Sequence, residues 1–313
     1  MSDRPIYRDV IAPNDARIRQ ELIKRVQDRL GGNLVTYTAN PGHPFGLLMS
    51  QDALLFEDLL RSSSEKHTGY LMLTSPGGDP NAAEKLLLMC RRRFTEGFYV
   101  LIPNYAKSAG TMIALGSDKI LMGYLAELGP IDPQLQTGPV PGPSLPARSF
   151  IDGLENIRSK IRDGGDPVQM YVPMLSRIRP ELIAICQSSI EESRNFAAKW
   201  LKLYMLKNNP DQADKVAQWL SEGKKYQSHG RVISYSEAKD VLKLNVEEID
   251  KDSEIWDEIW ELYTRSVQFL QQTGAAKLFE NEHVSLSMTI EAVIGPPLGP
   301  TQPPRQVPPP RTE

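Results

Sequence analysis

Between Gly69 and Met122, short apolar runs alternate with helical stretches, and that alternation leaves this chain few folds to choose from. The run Gly-Tyr-Leu-Met-Leu-Thr ending at Thr74 reads as a buried strand, broken by Ser75-Pro-Gly-Gly78. Asp79 can cap the next helix with Pro80 at its first position, and Leu86, Leu87 and Cys90 give that helix an apolar face. After Gly97 come a second strand over 98–102, a loop from Pro103 to Lys107, a helix from Ser108 to Leu115 and a third strand over 119–122. Strands and helices at this spacing build right-handed βαβ units and a mostly parallel sheet. In such sheets the working loops lie at the carboxyl ends of the strands. The glycine-rich turn at 75–78 and the turn before Ala109-Gly110 both fall there.

On either side the pattern is helical with few strands. Ile18, Leu22, Ile23, Val26 and Leu30 form one stripe of a helix from Asn14 to Leu30, stopped by Gly31-Gly32. A short strand follows over 33–37, then a helix over 50–61. Further helices are expected over 149–162, 180–208, 211–222 and 254–272, with a short one capped by Ser234 or Ser236. The last long helix carries Trp256, Trp260, Tyr263 and Phe269, unusually apolar for a surface, so it is expected to pack against a second copy of the chain. The prolines between Gly138 and Pro146 mark an irregular loop. The Pro-rich stretch after Gly295 cannot pack a core and has polyproline II character.

Composition excludes several function classes. With 36 basic and 39 acidic side chains the net charge is -3, which gives no general attraction to nucleic acid or anionic lipid. No uncharged apolar run approaches the ~18 residues of a spanning helix, and the first residues lack a signal-peptide core. Cys90 and Cys186, the only two cysteines, lie on apolar helix faces and suggest a reducing compartment. A cytoplasmic protein is therefore expected. No Cys or His pair has ligand spacing, and no nucleotide-binding fingerprint is present, so neither metal nor cofactor is expected.

Acyl transfer requires a nucleophile, a base and donors aimed at a developing oxyanion. Ala106-Lys-Ser108-Ala-Gly-Thr111 places a serine at a strand-to-helix turn, where the Ala109 amide would sit at the positive end of a helix. A lone serine there is usually a helix cap. The Gly77-Gly78 turn on the neighbouring strand alters that weighing, because glycine backbone can present an N–H with no side chain in the way.

The series SPGGDP, YAKSAGTMIALGSDKI and LGPIDPQ, spread over 69–136, resembles the ClpP/crotonase superfamily. It looks most like the signal-peptide-peptidase branch and its relatives, the serine dehydrogenase proteinase family; the segment Ser228-His-Gly-Arg-Val-Ile-Ser-Tyr-Ser-Glu-Ala-Lys239 echoes a later family element. The resemblance implies a crotonase-like α/β fold with a mostly parallel β-sheet and helical C-terminal elements, commonly in a homo-oligomer. It makes Ser108 the nucleophile and Gly77 and Gly78, with Ala109, the oxyanion hole. The base stays open between His229, with Asp132 of the Gly-Pro-Ile-Asp-Pro turn assisting, and Lys160. Lys107 is expected to point away. The implied plan is a segment 1–68 leading into the core, a catalytic core over 69–250, a helical element over 251–294 and a disordered tail over 295–313. The activity expected is a serine endopeptidase acting on peptides or unfolded protein. The alternatives are a crotonase-type acyl-CoA enzyme or a non-catalytic scaffold with the Pro-rich tail as a partner ligand.

Overall fold

The computed structural model describes residues 15–136, 144–222 and 230–289. Its first helix, α1 (Ala16–Leu30), is capped by the Asp15 carboxylate and leads into β1 (Asn33–Ala39), α2 (Asp52–Arg61) and β2 (Thr68–Thr74). The Asp79 cap and first-turn proline start α3 (Pro80–Arg93) as their residue types require. Then follow β3 (Gly97–Ile102), β4 (Tyr105–Ala106), α4 (Ala109–Leu115), β5 (Lys119–Met122) and β6 (Glu127–Leu128). A hairpin of β7 (Gln134–Gln136) and β8 (Ser144–Pro146) precedes α5 (Ala147–Arg162), α6 (Pro180–Leu203) and α7 (Pro210–Ser221). The chain closes with β9 (Ile233–Ser234), β10 (Val246–Glu248), α8 (Glu254–Thr273), β11 (Lys277–Glu280) and β12 (Ser285–Met288).

The main sheet has the order β10-β5-β3-β2-β1-β11-β12. Its first five strands are mutually parallel, and β11 and β12 add an antiparallel edge, Thr36 facing Glu280 across β1 and β11. Apolar residues alternate to both faces, as a sheet covered on both sides demands. Val35, Tyr37, Leu71, Leu73, Val100 and Ile102 point to a core shared with α2, α3, α4, α6 and α7. Leu34, Met72 and Leu101 point the other way, into a second core with α1 and α8.

One expectation changes here. Trp256, Ile259, Leu262 and Tyr263 are buried against α1 and the sheet of their own chain, with Trp260 half-buried beside them. The aromatic face of α8 is therefore core, and offers no surface for a second copy. β1, from the leading segment 1–68, lies between β2 and β11, so parts of 1–68, 69–250 and 251–294 share one sheet. The C-terminal element is not purely helical, since it supplies two strands of that sheet. The tail over 295–313 lies outside the described residues.

Two buried ion pairs fasten this late edge. Arg19 of α1 meets Glu280 of β11 at 2.8 Å, and Lys277 of β11 meets Asp52 of α2 at 2.6 Å. Tyr37 Oη and the Met49 N–H both donate to the same Asp52 carboxylate. Both cysteines are buried, free thiols.

Candidate active site

The carboxyl end of β2 is stitched to β4 just where the two glycine-bearing turns begin. Ser75 N–H donates to Tyr105 O at 3.2 Å and Lys107 N–H to Ser75 O at 2.9 Å. Ser108 follows as the second residue of a tight turn closed by Gly110 N–H to Lys107 O at 2.7 Å. Its φ of 48° and ψ of -118° are type II′ values, a position that glycine normally fills. Holding a serine there costs on the order of 1–3 kcal/mol. The bland reading of this residue as a helix cap fails on geometry, because its side chain makes no capping hydrogen bond to α4. The half-buried hydroxyl stands instead at a sharp strand-to-helix turn, the kind of position from which a nucleophile is presented. The N–H of Ala109, first in α4, has no hydrogen-bond partner among the described residues.

Gly77 and Gly78 have φ of 108° and 145°. A Cβ on Gly77 would lie 2.7 Å from Ser108 Cβ and 3.3 Å from its Oγ, so the bare glycine is what lets the serine approach. A Cβ on Gly78 would lie 2.3 Å from Leu48 N on the other side. The two amides differ. Gly77 N–H donates to Ser75 Oγ at 3.2 Å, whereas Gly78 N–H has no partner among the described residues.

The Gly-Pro-Ile-Asp-Pro turn is tied to the serine helix by Thr111 of the same Ser-Ala-Gly-Thr run. Its Oγ1 lies 2.7 Å from Ala106 O and accepts the Gly129 N–H at 3.0 Å. Asp132, 3% exposed, accepts a hydrogen bond from Gln134 Nε2 at 2.8 Å. Lys107 turns away as expected: its ammonium pairs with Glu127 at 2.8 Å and donates to Leu128 O.

Ser108, Gly78 and Asp132 line one cleft of about 1000 Å³. Its walls are largely apolar, from Phe45, Leu47, Leu48 and Met49 before α2, Met112 on α4, Ile131, and Phe196 on α6. Met112 could have been found from its place one helical turn after Ser108. Leu48 and Phe196 carried no such signal. Lys160 is exposed near the C-terminal end of α5 and is not among the residues lining this cleft. His229 lies outside the described residues. The chain on both sides of 223–229 does pack on the Asp132 turn: Ile131 N–H donates to Leu220 O at 2.9 Å, and Leu128 pairs with Ile233. Among the described residues there is no group of three or more potential metal ligands, and no helix is long and apolar enough to cross a membrane.

The chain is 29% identical over 207 residues to the uncharacterized protein MJ0137 of Methanocaldococcus jannaschii, covering 66% of this chain and 61% of that one. It is 28% identical over 153 residues to MJ1495 of the same organism, covering 49% and 44%. It thus spans less than two thirds of either relative. A solved structure, the 1510-N membrane-bound stomatin-specific protease in mutant form, overlaps 68% of this chain and 79% of its own, at 14% identity and a TM-score of 0.41. That likeness is too loose to transfer any feature of a site. The family model of ClpP-like SDH-type serine proteinases matches residues 52–279, spanning both glycine turns, Ser108 and the parallel strands β2, β3, β5 and β10 of the central sheet, and the chain belongs to that family.

Proposed function

We propose that this protein is a serine endopeptidase that cleaves peptides or unfolded protein through an acyl-enzyme on Ser108. The observation that carries the reading is the strained Ser108, its hydroxyl uncommitted to capping, beside two N–H groups without partners among the described residues. Ser108 Oγ attacks the scissile carbonyl carbon and its proton passes to the base. The carbonyl oxygen becomes an oxyanion held by the N–H groups of Gly78 and Ala109, and the base returns the proton to the departing amine. Water then enters by the reverse sequence and releases the acid. Gly77, its N–H engaged by Ser75, serves by making room for the nucleophile rather than as a donor.

For the base we assign His229, oriented by Asp132. Support comes from the packing of Leu220 and Ile233, on either side of 223–229, against the turn that holds Asp132. Lys160 is the weaker alternative because of its exposed position away from the cleft. The apolar cleft wall suits an apolar side chain next to the scissile bond. A homo-oligomer is part of the same proposal, through a surface other than α8. An acyl-CoA enzyme would also use the paired N–H groups, but would have no need of a strained serine.

A fluorophosphonate probe tests the reading directly. It should label the wild-type protein and not Ser108→Ala, with thermal unfolding of the mutant nearly unchanged. Undiminished labelling of Ser108→Ala would refute the nucleophile, and an unlabelled wild type would refute the peptidase.

A further inference from the structure

Oxyanion donors act only if their N–H groups already face the place where charge develops. Two adjacent glycines are poorly suited to hold such a direction, because neither has a Cβ to restrict its backbone. Gly77 and Gly78 need something else to fix the peptide between them.

The segment before α2 supplies it. Leu48 forms an isolated parallel bridge to Gly78: its N–H donates to Gly77 O at 2.8 Å, and its carbonyl accepts Asp79 N–H at 2.9 Å. In a trans peptide the C=O and the following N–H point in opposite directions. With Gly77 O drawn to Leu48, the Gly78 N–H must face away from Leu48, and it is left unpartnered at the cleft. Were this peptide to flip, Gly77 O would present its negative end where the oxyanion forms.

Leu48 is itself firmly held. Its side chain is 1% exposed in the main core. The strap over 40–49 is pinned at one end by Asn40 N–H to Ala276 O at 2.9 Å, and at the other by Met49 N–H to the Asp52 carboxylate at 3.0 Å. Within it, Gly46 packs so closely that a Cβ would meet Asn40 O at 2.0 Å.

We infer that Leu48 is a positioning residue, whose backbone N–H locks the Gly77–Gly78 peptide with its N–H toward the reacting carbonyl. The inference rests on the peptidase reading above for its consequence in catalysis, but the lock itself does not.

The test replaces Leu48 by its α-hydroxy acid analogue through semisynthesis, which exchanges the N–H for an oxygen and keeps the side chain. Leu48→Pro, which also lacks the donor, is a second variant. The reading is the maximal rate of fluorophosphonate labelling at Ser108, separated from probe affinity. Loss of the lock should slow that rate by about 10²-fold, the order expected for one oxyanion donor. Affinity should stay within about threefold, while the unfolding midpoint of the ester variant falls by the loss of one backbone hydrogen bond. A labelled wild type with an equally fast ester variant overturns the lock while leaving the peptidase reading intact. If the wild type is not labelled, that reading fails, and hydrogen exchange judges the lock alone. A Leu48 amide protected as strongly as the β1 amides supports it. Exchange as fast as in an exposed loop overturns it.

Discussion

The strain at Ser108 is a stability statement as well as a catalytic one. A residue held at φ 48° should give up that cost when its Cβ is removed. Ser108→Gly is therefore expected to stabilise the fold by about 1 kcal/mol, the relief being partly offset by glycine's extra freedom in the unfolded chain. Denaturant titration checks this, and a destabilised Ser108→Gly would contradict the strain. The base is decided by pH. With His229 as proton acceptor, activity should be lost on the acid side as the imidazole takes up a proton, since only the neutral imidazole accepts one. His229→Gln should then abolish turnover while Lys160→Met leaves it intact. Full activity in His229→Gln would end the histidine assignment.

Among the elements, β11 is the one whose placement is most heavily specified by charge. Lys277 and Asp52 are both fully buried, and desolvation pulls the Lys277 ammonium below its ordinary pKa despite the carboxylate that opposes the shift. Breaking such a pair leaves one uncompensated buried charge and costs about 3–5 kcal/mol. Lys277→Met should show that loss in urea unfolding. Adding Asp52→Asn, which keeps an acceptor for Tyr37 and Met49, should recover more than half of it. Additive losses in the double mutant would mean that the two side chains do not act as a pair. The hydrophobic pattern could not have revealed this link. A charged β11 paired beside β1 reads as loop or surface until its partners, 225 residues away in one case, are known.

For the molecule as a whole, the dry core sets an alkaline limit. Burial pushes the Cys90 thiol and the Tyr37, Tyr105 and Tyr263 phenols above their ordinary values. In the unfolded chain these groups lose protons between about pH 8.5 and 10, while folded they keep them, so stability present below that range falls as pH rises. Lys277 acts in the opposite sense but is one group against four. Urea midpoints should drop steeply above pH 9, and Tyr105→Phe should flatten the slope by up to about 1.4 kcal/mol per pH unit. A midpoint level to pH 11 would contradict the buried placement. Much of this architecture was legible beforehand, because local rules sufficed for it. The short apolar and helical runs, the Asp79-Pro80 start and the paired glycine turns all express backbone preferences within a few residues. The family-bearing motifs singled out Ser108 and the Gly77–Gly78 turn, which the fold brings side by side. Contacts between residues distant in sequence were not legible. The aromatic stripe of α8 looks the same whether it faces a second copy or the chain's own sheet, and only its packing with α1 over β1, β2 and β3 shows it turned inward. The unpartnered Gly78 amide, the engaged Gly77 amide and the strap at Leu48 likewise depend on which backbone groups meet in space, and a sequence records side chains rather than the directions of its peptide planes.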